Sequence, residues 1–393
     1  VLPGILLAAL FSGYIMLWAL RNPEQVPAAD VRMSFMQKLS KSRSLIPVVL
    51  LIAGVLGSIS TGFATATEAA AVGVVGSLVL SAVQGSMFMT EQAAGSDISN
   101  TLTMAYPQED GSWRLYGEKW FCSNPDAGFG MVLARVEGGP PGMKGISLFL
   151  LPRQLDDGST NHYTIVRLKD KMGTRSMASG EIRMEGAVAY LVGEQGRGFV
   201  QIADMVNNSR LSNGMRSAGM MRRAVAEAEY IARERWAFGK QLQDMPLMKV
   251  QLDKLRVPAE QARTMVFQTA ATLTRSDAGD PEAYALLRIL TPMIKFRACR
   301  DARKVTGDAM EVRGGCGYIE EWADPRLVRD AHLGSIWEGT SNIVALDVKR
   351  AIKREGSLPV LQAYLHGLLK DTQGITAAYR QALTDALAGA AGA

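Results

Sequence analysis

The stretch RGGCGYIEEWADPRLVRDAHLGSIWEGTSNI, residues 313–343, joins a glycine-rich turn to the start of a helix and carries Glu338 near the entry of that helix. A carboxylate beside the apolar side chains of Ile336 and Trp337 can have a raised pKa and act as a general base. An acid in the first turn of a helix is also stabilised by the helix dipole alone. Taken by itself, this stretch leaves both interpretations of Glu338 open.

Amphipathic helical patterns surround this stretch. Apolar residues recur at three- and four-residue spacing, with charged residues on the opposite face. Four long helices joined by short links predict an antiparallel bundle, and the low-information stretch TDALAGAAGA at residues 384–393 is predicted to fray. The predicted helices begin at about residue 199 and continue over about 245–274, 281–312 and 335–353.

Residues 86–198 follow a different pattern, in which short and partly alternating apolar runs are separated by Gly, Pro, Asp and Asn. Runs such as SWRLYGEKWFCSN and FGMVLARV predict antiparallel strands with tight turns. Strands and helices do not alternate, so a Rossmann unit is not indicated, and GEQGRG at 193–198 is predicted to be a turn before a helix. The sequence therefore predicts an antiparallel β-domain followed by a helical bundle.

Composition limits the classes of function. A net charge of +5 with 21% charged residues is only mildly basic and gives no case for a nucleic-acid partner. The three cysteines are odd in number and lack metal-ligand spacing, which argues against a disulfide framework. The three histidines lie far apart, which argues against a histidine metal site or a Ser-His-Asp triad. We expect no metal ion and no nucleic acid.

The first 85 residues differ from the rest in their long uncharged runs, and outside residues 21–43 their one charged residue is Glu68. Residues 1–20 are uncharged and long enough to cross a hydrocarbon layer of ~30 Å as a helix, and two more apolar runs begin at Leu45 and Ala69. The basic excess of residues 21–43 places that loop on the cytoplasmic side. We expect membrane helices in residues 1–85, at the inner (cytoplasmic) membrane, with the later residues in the cytoplasm. A buried helical hairpin is the alternative.

Two segments of this region resemble the large membrane subunit of tripartite ATP-independent periplasmic (TRAP) transporters. They are GYIMLWALRNPEQVPAADVRMSFMQKL and GSISTGFATATEAAAVGVVGSLVLSAV, and in that family the GFATxTEAA segment belongs to the substrate and sodium region. The resemblance covers only a small part of such a permease, so it implies a fragment without a complete transport path. It also implies a join between two unrelated proteins near Val83–Ser86, as in a gene fusion.

Five motifs in residues 86–370 resemble the acyl-CoA dehydrogenase family of flavoproteins. MTEQAAGSD matches TEPxAGSD, KWFCSN matches K-x-W/F-I-T/S-N, RERWAFGKQL matches R-x-x-F-G, VRGGCGY matches GGxGY and IWEGTSNI matches YEGTSxI. Within the family, the chain looks most like the branch containing the bacterial alkylation-response flavoprotein. The resemblance implies a multidomain α+β fold, with an antiparallel β-domain at 86–198, a C-terminal four-helix bundle at 199–370 and a tail at 371–393.

The resemblance implies FAD bound between the β-domain and the bundle. Met89 and Thr90 would touch the flavin ring, and Ser123 would hydrogen-bond near its reactive nitrogen. Phe121, with Trp120 beside it, would line the ring, although aromatic residues at a strand end are more often core.

The resemblance also implies that a neighbouring subunit completes the FAD site. Arg235 and Phe238 would contact the pyrophosphate and adenine side of that neighbour's FAD, since a guanidinium suits a diphosphate. Gly314 and Gly315 would leave room for the cofactor. A homo-oligomer is therefore expected. The remaining implied cofactor contacts are Thr340 and Asn342.

By the same resemblance, Glu338 is the base that removes the α-proton of an acyl-CoA thioester while a β-hydride moves to the flavin, which gives a trans-2-enoyl-CoA. Ser96 would lie near the pantetheine arm, and Arg210 would belong to the substrate site. The implied electron acceptor is an electron-transfer flavoprotein or another acceptor.

Three departures from the family pattern affect these expectations. Asn207 stands where the family has an Asp before the helix Arg, and Pro246 replaces a usual Gln. The N-terminal helical domain, which in the family covers one side of the active site, has no match ahead of residue 86, so activity is expected to be impaired. The alternatives are a transporter fragment and a nucleic-acid-binding relative, although a basic C-terminal extension of that branch is not matched after residue 370.

Overall fold

The computed structural model describes residues 85–392, so the membrane and transporter predictions for residues 1–84 lie outside the described residues. The residues from Ser86 onward form one compact unit. Between residues 85 and 392, no helix combines the length and the apolar character that crossing a bilayer requires.

The β-domain comes first, as the alternating runs predict. Its alternating side chains divide into an inward set and an outward set, which is what a sheet with one buried face requires. The seven strands of its sheet, β1 to β7, are Gly85–Phe88, Met104–Pro107, Trp113–Ser123, Phe129–Val136, Ile146–Pro152, Tyr163–Leu168 and Ser179–Val192.

Five of these strands close into a ring in the order β4-β2-β3-β7-β5, because β5 pairs back onto β4. β1 adds to β4, and β6 adds to β7 outside the ring. The interior of the ring is filled by buried side chains that include Leu115, Phe149 and Ile182. Ring closure removes free sheet edges. One pair departs from the antiparallel prediction, since β2 and β4 run parallel, with Met104 opposite Arg135.

The helices follow the β-domain directly. Gly193 and Gly196 take positive φ values of 67° and 78°, which confirms the predicted turn before the first helix. A Cβ at Gly198 would lie 2.4 Å from the Ser147 carbonyl carbon, so glycine lets the helix begin against β5. The helices α1 to α7 are Gly198–Glu234, Pro246–Asp277, Pro281–Arg313, Ala323–Leu333, Ser341–Glu355, Ser357–Asp371 and Ala377–Gly392.

The core of the helical part lies between α1, α2 and α3. Small residues such as Ala228 on α1 and Ala302 on α3 are fully buried and allow the long helices to approach closely. Larger residues such as Leu255 and Ile294 fill the remaining space. Three of the four predicted long helices are therefore present, at nearly the predicted bounds.

Two predictions for the helical part are wrong. The fourth helix was expected over about 335–353 but begins at Ser341, so Glu338 lies in the loop before its N-cap, Thr340, and the first-turn alternative fails. The stretch from residue 384 to residue 392 is not frayed, because it belongs to α7, Ala377–Gly392. Ala and Leu favour helix even where periodicity is weak.

Candidate active site

A bulge in β3 brings the first two motifs together. The pairing of β3 with β7 shifts register between Lys119 and Cys122, so Trp120 leaves the ladder. Its main-chain N–H instead donates to the carbonyl oxygen of Thr90 at 2.8 Å. The implied flavin residues of the MTEQ and KWFCSN motifs therefore lie next to each other.

A buried ion pair fixes the same junction. Lys119 Nζ lies 2.7 Å from Glu91 Oε1, and both side chains are almost completely buried. Glu91 also accepts hydrogen bonds from the Thr103 hydroxyl and the main-chain N–H groups of Leu102 and Thr103. Burial opposes ionisation of Glu91, but Lys119 and these donors hold its pKa below the ordinary value. The sequence reading missed this pair, although both residues stand inside the quoted motifs.

The aromatic pair of the KWFCSN motif is not core. Phe121 is 56% exposed, and Trp120 is half-buried. The Lys169 ammonium lies 3.6 Å from the centroid of the Trp120 ring and is paired with Glu181 at 2.5 Å. Ser123 is the last residue of β3, two positions after Phe121. An open aromatic surface next to a hydroxyl is what a planar heteroaromatic ligand requires.

Met89 connects this cluster to the helical part. Its side chain packs against a cluster of buried residues from the β-domain and α1, and Ile202 and Val206 are the members of that cluster on α1. Arg210 follows Val206 by about one turn of the same helix, and its guanidinium contacts the Glu338 segment. The N-terminal half of α1 thus connects the cluster beside Met89 with the segment that carries Glu338.

Glu338 is held in an unusual backbone conformation. Its φ of 55° lies in the left-handed region, which is costly for a residue with a side chain. Arg210 Nε donates to the carbonyl oxygen of Glu338 at 3.1 Å, and Lys295 Nζ donates to the carbonyl oxygen of Gly339. Two cations from α1 and α3 thus hold the main chain that carries the carboxyl group.

The carboxyl group of Glu338 is poorly solvated. Its Oε2 is buried and has no hydrogen-bond partner among the described residues. Burial raises the pKa of Glu338 above its ordinary value, while the Ser209 side chain and the charges of Arg210 and Lys295 oppose that shift. Such a carboxylate is matched to accept a proton from a weak acid.

Arg210 has a carboxylate partner that the sequence did not reveal. Its Nη1 lies 3.4 Å from the side-chain oxygen of Asn207, the residue that replaces the usual Asp, and 2.6 Å from Asp347 on α5. Asp347 also pairs with Arg288 on α3 at 3.2 Å. A long-range carboxylate therefore supplies the charge that Asn207 lacks.

Trp337 anchors the other side of the loop. Its indole N–H donates to the Asn213 side chain, and the Arg216 guanidinium lies 4.7 Å from the ring centroid. Nε and Nη2 of Arg216 are buried without a hydrogen-bond partner among the described residues, and burial lowers the pKa of this residue. Sequence reading gave no signal for this buried cation.

Arg235 and the GGCGY turn form a second cluster. Arg235 Nη1 donates to the carbonyl oxygen of Arg313 at 3.4 Å, and a Cβ on Gly314 would lie 3.1 Å from the same nitrogen. Gly315 faces open space. Arg210 and Arg235 lie roughly 37 Å apart along α1 at the usual helical rise. The structure thus does not bring this cluster to Glu338 within one chain.

Phe238 occupies the tip of a small hairpin beside this second cluster. The strands β8 and β9, Trp236–Ala237 and Lys240–Gln241, are joined by Phe238 and Gly239 at φ values of 53° and 76°. Positive φ at both central residues defines a type I′ turn, and Gly239 adopts it without strain. Phe238 is 97% exposed, so the hairpin presents its ring to a ligand or a second chain.

The remaining predicted residues lie on the surface. Thr340 and Asn342 are exposed directly after Glu338, and Ser96 is exposed beside Asp97, the N-cap of a short 3₁₀ turn. Their roles stay predictions. No cluster of three or more His, Cys, Asp or Glu residues between 85 and 392 has the arrangement of a metal site.

The two clusters together fit the chemistry of FAD. The first offers an exposed aromatic ring, Phe121, and the hydroxyl of Ser123 for a planar ring system. The second offers the exposed guanidinium of Arg235 beside open space at Gly315 for a diphosphate.

Comparison with known proteins agrees with this geometry. The family model described as acyl-CoA dehydrogenase, middle domain, matches residues 86–187, and the model described as acyl-CoA dehydrogenase, C-terminal domain, matches residues 196–353. The chain belongs to the acyl-CoA dehydrogenase family. Proteins of the acyl-CoA dehydrogenase family bind FAD as cofactor, so the expected cofactor is that of the family.

Similar proteins include several acyl-CoA dehydrogenases. The putative acyl-CoA dehydrogenase AidB of Escherichia coli is 39% identical over 69% of this chain and 49% of AidB. The solved structure of Caenorhabditis elegans ACDH-11 in complex with C11-CoA has a TM-score of 0.71 at 35% identity, over 74% of this chain and 50% of that one. Butyryl-CoA dehydrogenase of Megasphaera elsdenii has a TM-score of 0.63 at 27% identity, over 74% and 73% of the two chains. This chain spans about half the length of the first two relatives.

Proposed function

We propose that the protein is an FAD-dependent acyl-CoA dehydrogenase that uses Glu338 as the base. The observation that carries the proposal is the state of the Glu338 carboxyl: its Oε2 is buried and unpartnered, its pKa is raised by burial, and its backbone is held by Arg210 and Lys295. A base in this state accepts a proton readily once a substrate excludes water from it.

Different residues of this chain would remove the proton, position the carboxyl group and orient the flavin. Glu338 takes the α-proton of the thioester at its free oxygen, and Arg210 fixes the direction of that carboxyl by holding the main chain. Phe121 and Ser123 orient the flavin ring from the β-domain side. FAD, when bound, supplies the acceptor for the β-hydride. The expected product is a trans-2-enoyl-CoA.

Two copies of the chain would complete each cofactor site. Arg235, which directly follows α1, lies roughly 37 Å from Arg210 at the usual helical rise, which is farther than one extended FAD molecule reaches. Phe238 follows in the adjoining hairpin. A cofactor seated beside Phe121 would therefore meet the Arg235 cluster of a second copy. The proposal thus includes a homo-oligomer, and a C2 dimer is the simplest assembly with two such sites.

A titration under anaerobic conditions tests the proposed activity. The purified full chain is loaded with FAD and mixed with saturated acyl-CoA esters of short, medium and long chains while flavin absorbance is recorded. We expect at least one ester to bleach the flavin and to yield the 2-enoyl-CoA. A folded chain that binds no FAD, or bound FAD that no ester bleaches, would overturn the proposal.

The physiological acceptor is proposed to be an electron-transfer flavoprotein. Support comes only from the resemblance of the chain to its family. Rapid mixing of the substrate-reduced protein with an electron-transfer flavoprotein tests it. Reoxidation that is much faster than with buffer alone is expected, and equal rates would contradict this choice of acceptor.

Residues 1–85 support a separate proposal about location. Their long uncharged runs and the basic loop at 21–43 are typical of membrane helices with that loop in the cytoplasm, so we propose attachment to the cytoplasmic membrane. Carbonate washing of membranes tests it: the chain should stay in the pellet, and release into the wash would contradict it. Uptake of a solute by proteoliposomes would favour the transporter-fragment alternative, which we do not expect from so few helices.

A further inference from the structure

A basic cavity lies outside the residues assigned above. It has a volume of about 450 Å³ and lies on the outward side of α3, next to the end of α4. A volume of this size holds a small ligand. The cavity is lined by Arg297, Arg300, Asp301, Arg303, Lys304 and His332.

Two of the lining cations have carboxylate partners. Arg297 pairs with Asp301 at 2.7 Å, and Lys304 pairs with Asp308 at 2.7 Å. These two pairs use the acidic side chains that the structure places beside the cavity. Their charges largely cancel, so they contribute little to attraction of an anion.

The other two arginines, Arg300 and Arg303, form no ion pair among the described residues, although Asp301, the partner of Arg297, also lines the cavity. Arg300 Nη1 lies 3.3 Å from the Ser341 hydroxyl, and Arg303 Nη1 lies 3.3 Å from the Ser335 hydroxyl. No ion pair joins either arginine to an acid between residues 85 and 392. The guanidinium groups of Arg300 and Arg303 are permanently charged, and their hydrogen-bond partners are neutral hydroxyls. They therefore leave a local excess of about two positive charges.

The N-terminus of α5 adds to this positive potential. Ser341 is the first residue of α5, the N-cap Thr340 makes no side-chain capping bond, and the first turn contains no acid. The free N–H groups of that turn and the helix dipole favour an anion near Ser341. Arg300 and α5 thus act on the same place.

We propose that this cavity binds a phosphate or pyrophosphate group of a nucleotide-type ligand. Arginine forks bind phosphate oxygens in pairs, and a dianion offsets the unpaired charge of Arg300 and Arg303. Coenzyme A and free nucleotides both carry this group. The volume is larger than one phosphate needs and accommodates a diphosphate with an attached sugar.

The bound group would be coupled to the Glu338 segment. Ser335 and Ser341, which hydrogen-bond Arg303 and Arg300, stand on either side of Glu338 in the chain. An anion that draws the two arginines together would fix both ends of this short segment. The cavity is thus a binding site whose occupation restrains the loop that carries the base.

Calorimetric titration of the flavin-free full chain with inorganic pyrophosphate tests the proposal. We expect about one pyrophosphate per chain, weaker binding at high salt, and at least a tenfold loss of affinity in the double variant Arg300→Gln/Arg303→Gln. Arg263→Gln/Arg275→Gln is the matched control, because both arginines are exposed on α2 outside the cavity. It should bind as the parent chain does.

Competition identifies the source of the group. Displacement by coenzyme A assigns the site to the thioester substrate, and displacement by ADP but not by coenzyme A assigns it to a free nucleotide; both outcomes support the proposal. Loss of pyrophosphate binding after FAD loading would show that the cavity belongs to the FAD site and would overturn the proposal of a separate site. Absence of pyrophosphate binding by the parent chain, or equal affinity in a double variant that melts at the parent temperature, overturns it. The titration needs no acyl-CoA oxidation, so its failure leaves the proposed function untouched.

Discussion

Arg210 Nε donates to the main-chain carbonyl oxygen of Glu338 at 3.1 Å, while Nη1 of the same guanidinium lies 2.6 Å from Asp347. Arg288 pairs with the other oxygen of Asp347 and with Glu355. α1, α3 and α5 are thus joined by one charge network that ends at the proposed base. All four charged side chains are largely buried.

Removing the Asp347 carboxylate, which Arg210 and Arg288 share, should destabilise the protein. It should also weaken the hold of Arg210 on the main chain of Glu338. In Asp347→Asn, Arg210 and Arg288 lose a buried anion, and breaking such a pair costs about 3–5 kcal/mol of unfolding free energy. Urea unfolding measures the loss. Glu260→Gln, which removes an exposed pair with Arg263, should cost less than about 1 kcal/mol. Equal effects of the two variants would contradict the network.

The pH dependence of the reaction should report the environment of Glu338. Its pKa is raised by burial, and the base must be ionised, so the rate of flavin reduction should rise through a pKa above 4.5. Lys295 favours the ionised form, so in Lys295→Met the rise should move to higher pH. Lys249→Met, an exposed change on α2, should leave it in place. A shift to lower pH in Lys295→Met would show that the cation does not act on the base.

Lys295 should lose its charge within the pH range in which the folded protein can be studied. Burial lowers its pKa to about 8, so the folded protein releases this proton before the unfolded chain does. Between about pH 8 and 10.5 the unfolded state therefore binds more protons, and Lys295 makes stability rise with pH across that window. Unfolding curves of the parent and Lys295→Met should diverge there, and parallel pH dependence would argue against the lowered pKa.

Arg216 should cost the folded protein stability. Two of its nitrogens are buried without partners, so Arg216→Met should raise the free energy of unfolding by about 1–3 kcal/mol, measured by urea denaturation. Arg222→Met, an exposed change on the same helix, should stay within about 0.5 kcal/mol of the parent. A clear loss of stability in Arg216→Met would mean that the cation–π contact with Trp337 outweighs the cost of burying the two nitrogens that lack hydrogen-bond partners.

Phe238 should affect FAD binding without affecting folding. Its ring is 97% exposed, so Phe238→Ala should melt at the parent temperature. If the ring contacts FAD across a subunit interface, FAD affinity should fall about three- to tenfold, as one aromatic contact predicts. Fluorescence titration of FAD measures the affinity, with Leu247→Ala, another highly exposed apolar residue, as control. Unchanged affinity in Phe238→Ala would count against the composite site.

The β-domain and the three long helices could be predicted because their signals are local. Alternation marks the strands, and the spacing of apolar residues marks α1 to α3. The parallel pairing of β2 with β4 could not be predicted from the sequence, because the order of the strands depends on how the ring closes. The helix over Ala377–Gly392 was missed because its low complexity resembles a frayed end.

In the candidate site, too, local sequence patterns predicted some features and missed those that depend on long-range packing. Motifs identified Glu338, and the IWEGTSNI spacing gave its place near α5, but not the left-handed backbone that keeps it out of that helix. Asp347 and Arg216 were missed because their partners are distant in sequence or absent. Such long-range pairs follow from packing, which local patterns do not encode.

The most direct test of the account replaces the proposed base and nothing else. FAD-loaded Glu338→Gln is compared with the parent chain and with Glu321→Gln, an exposed acid in the loop before α4, in anaerobic stopped-flow reduction by the best acyl-CoA ester. With FAD content and melting temperature unchanged, the rate should fall by about 10²–10⁴-fold in Glu338→Gln and remain at the parent value in Glu321→Gln. Reduction of Glu338→Gln at the parental rate would show that another group takes the proton.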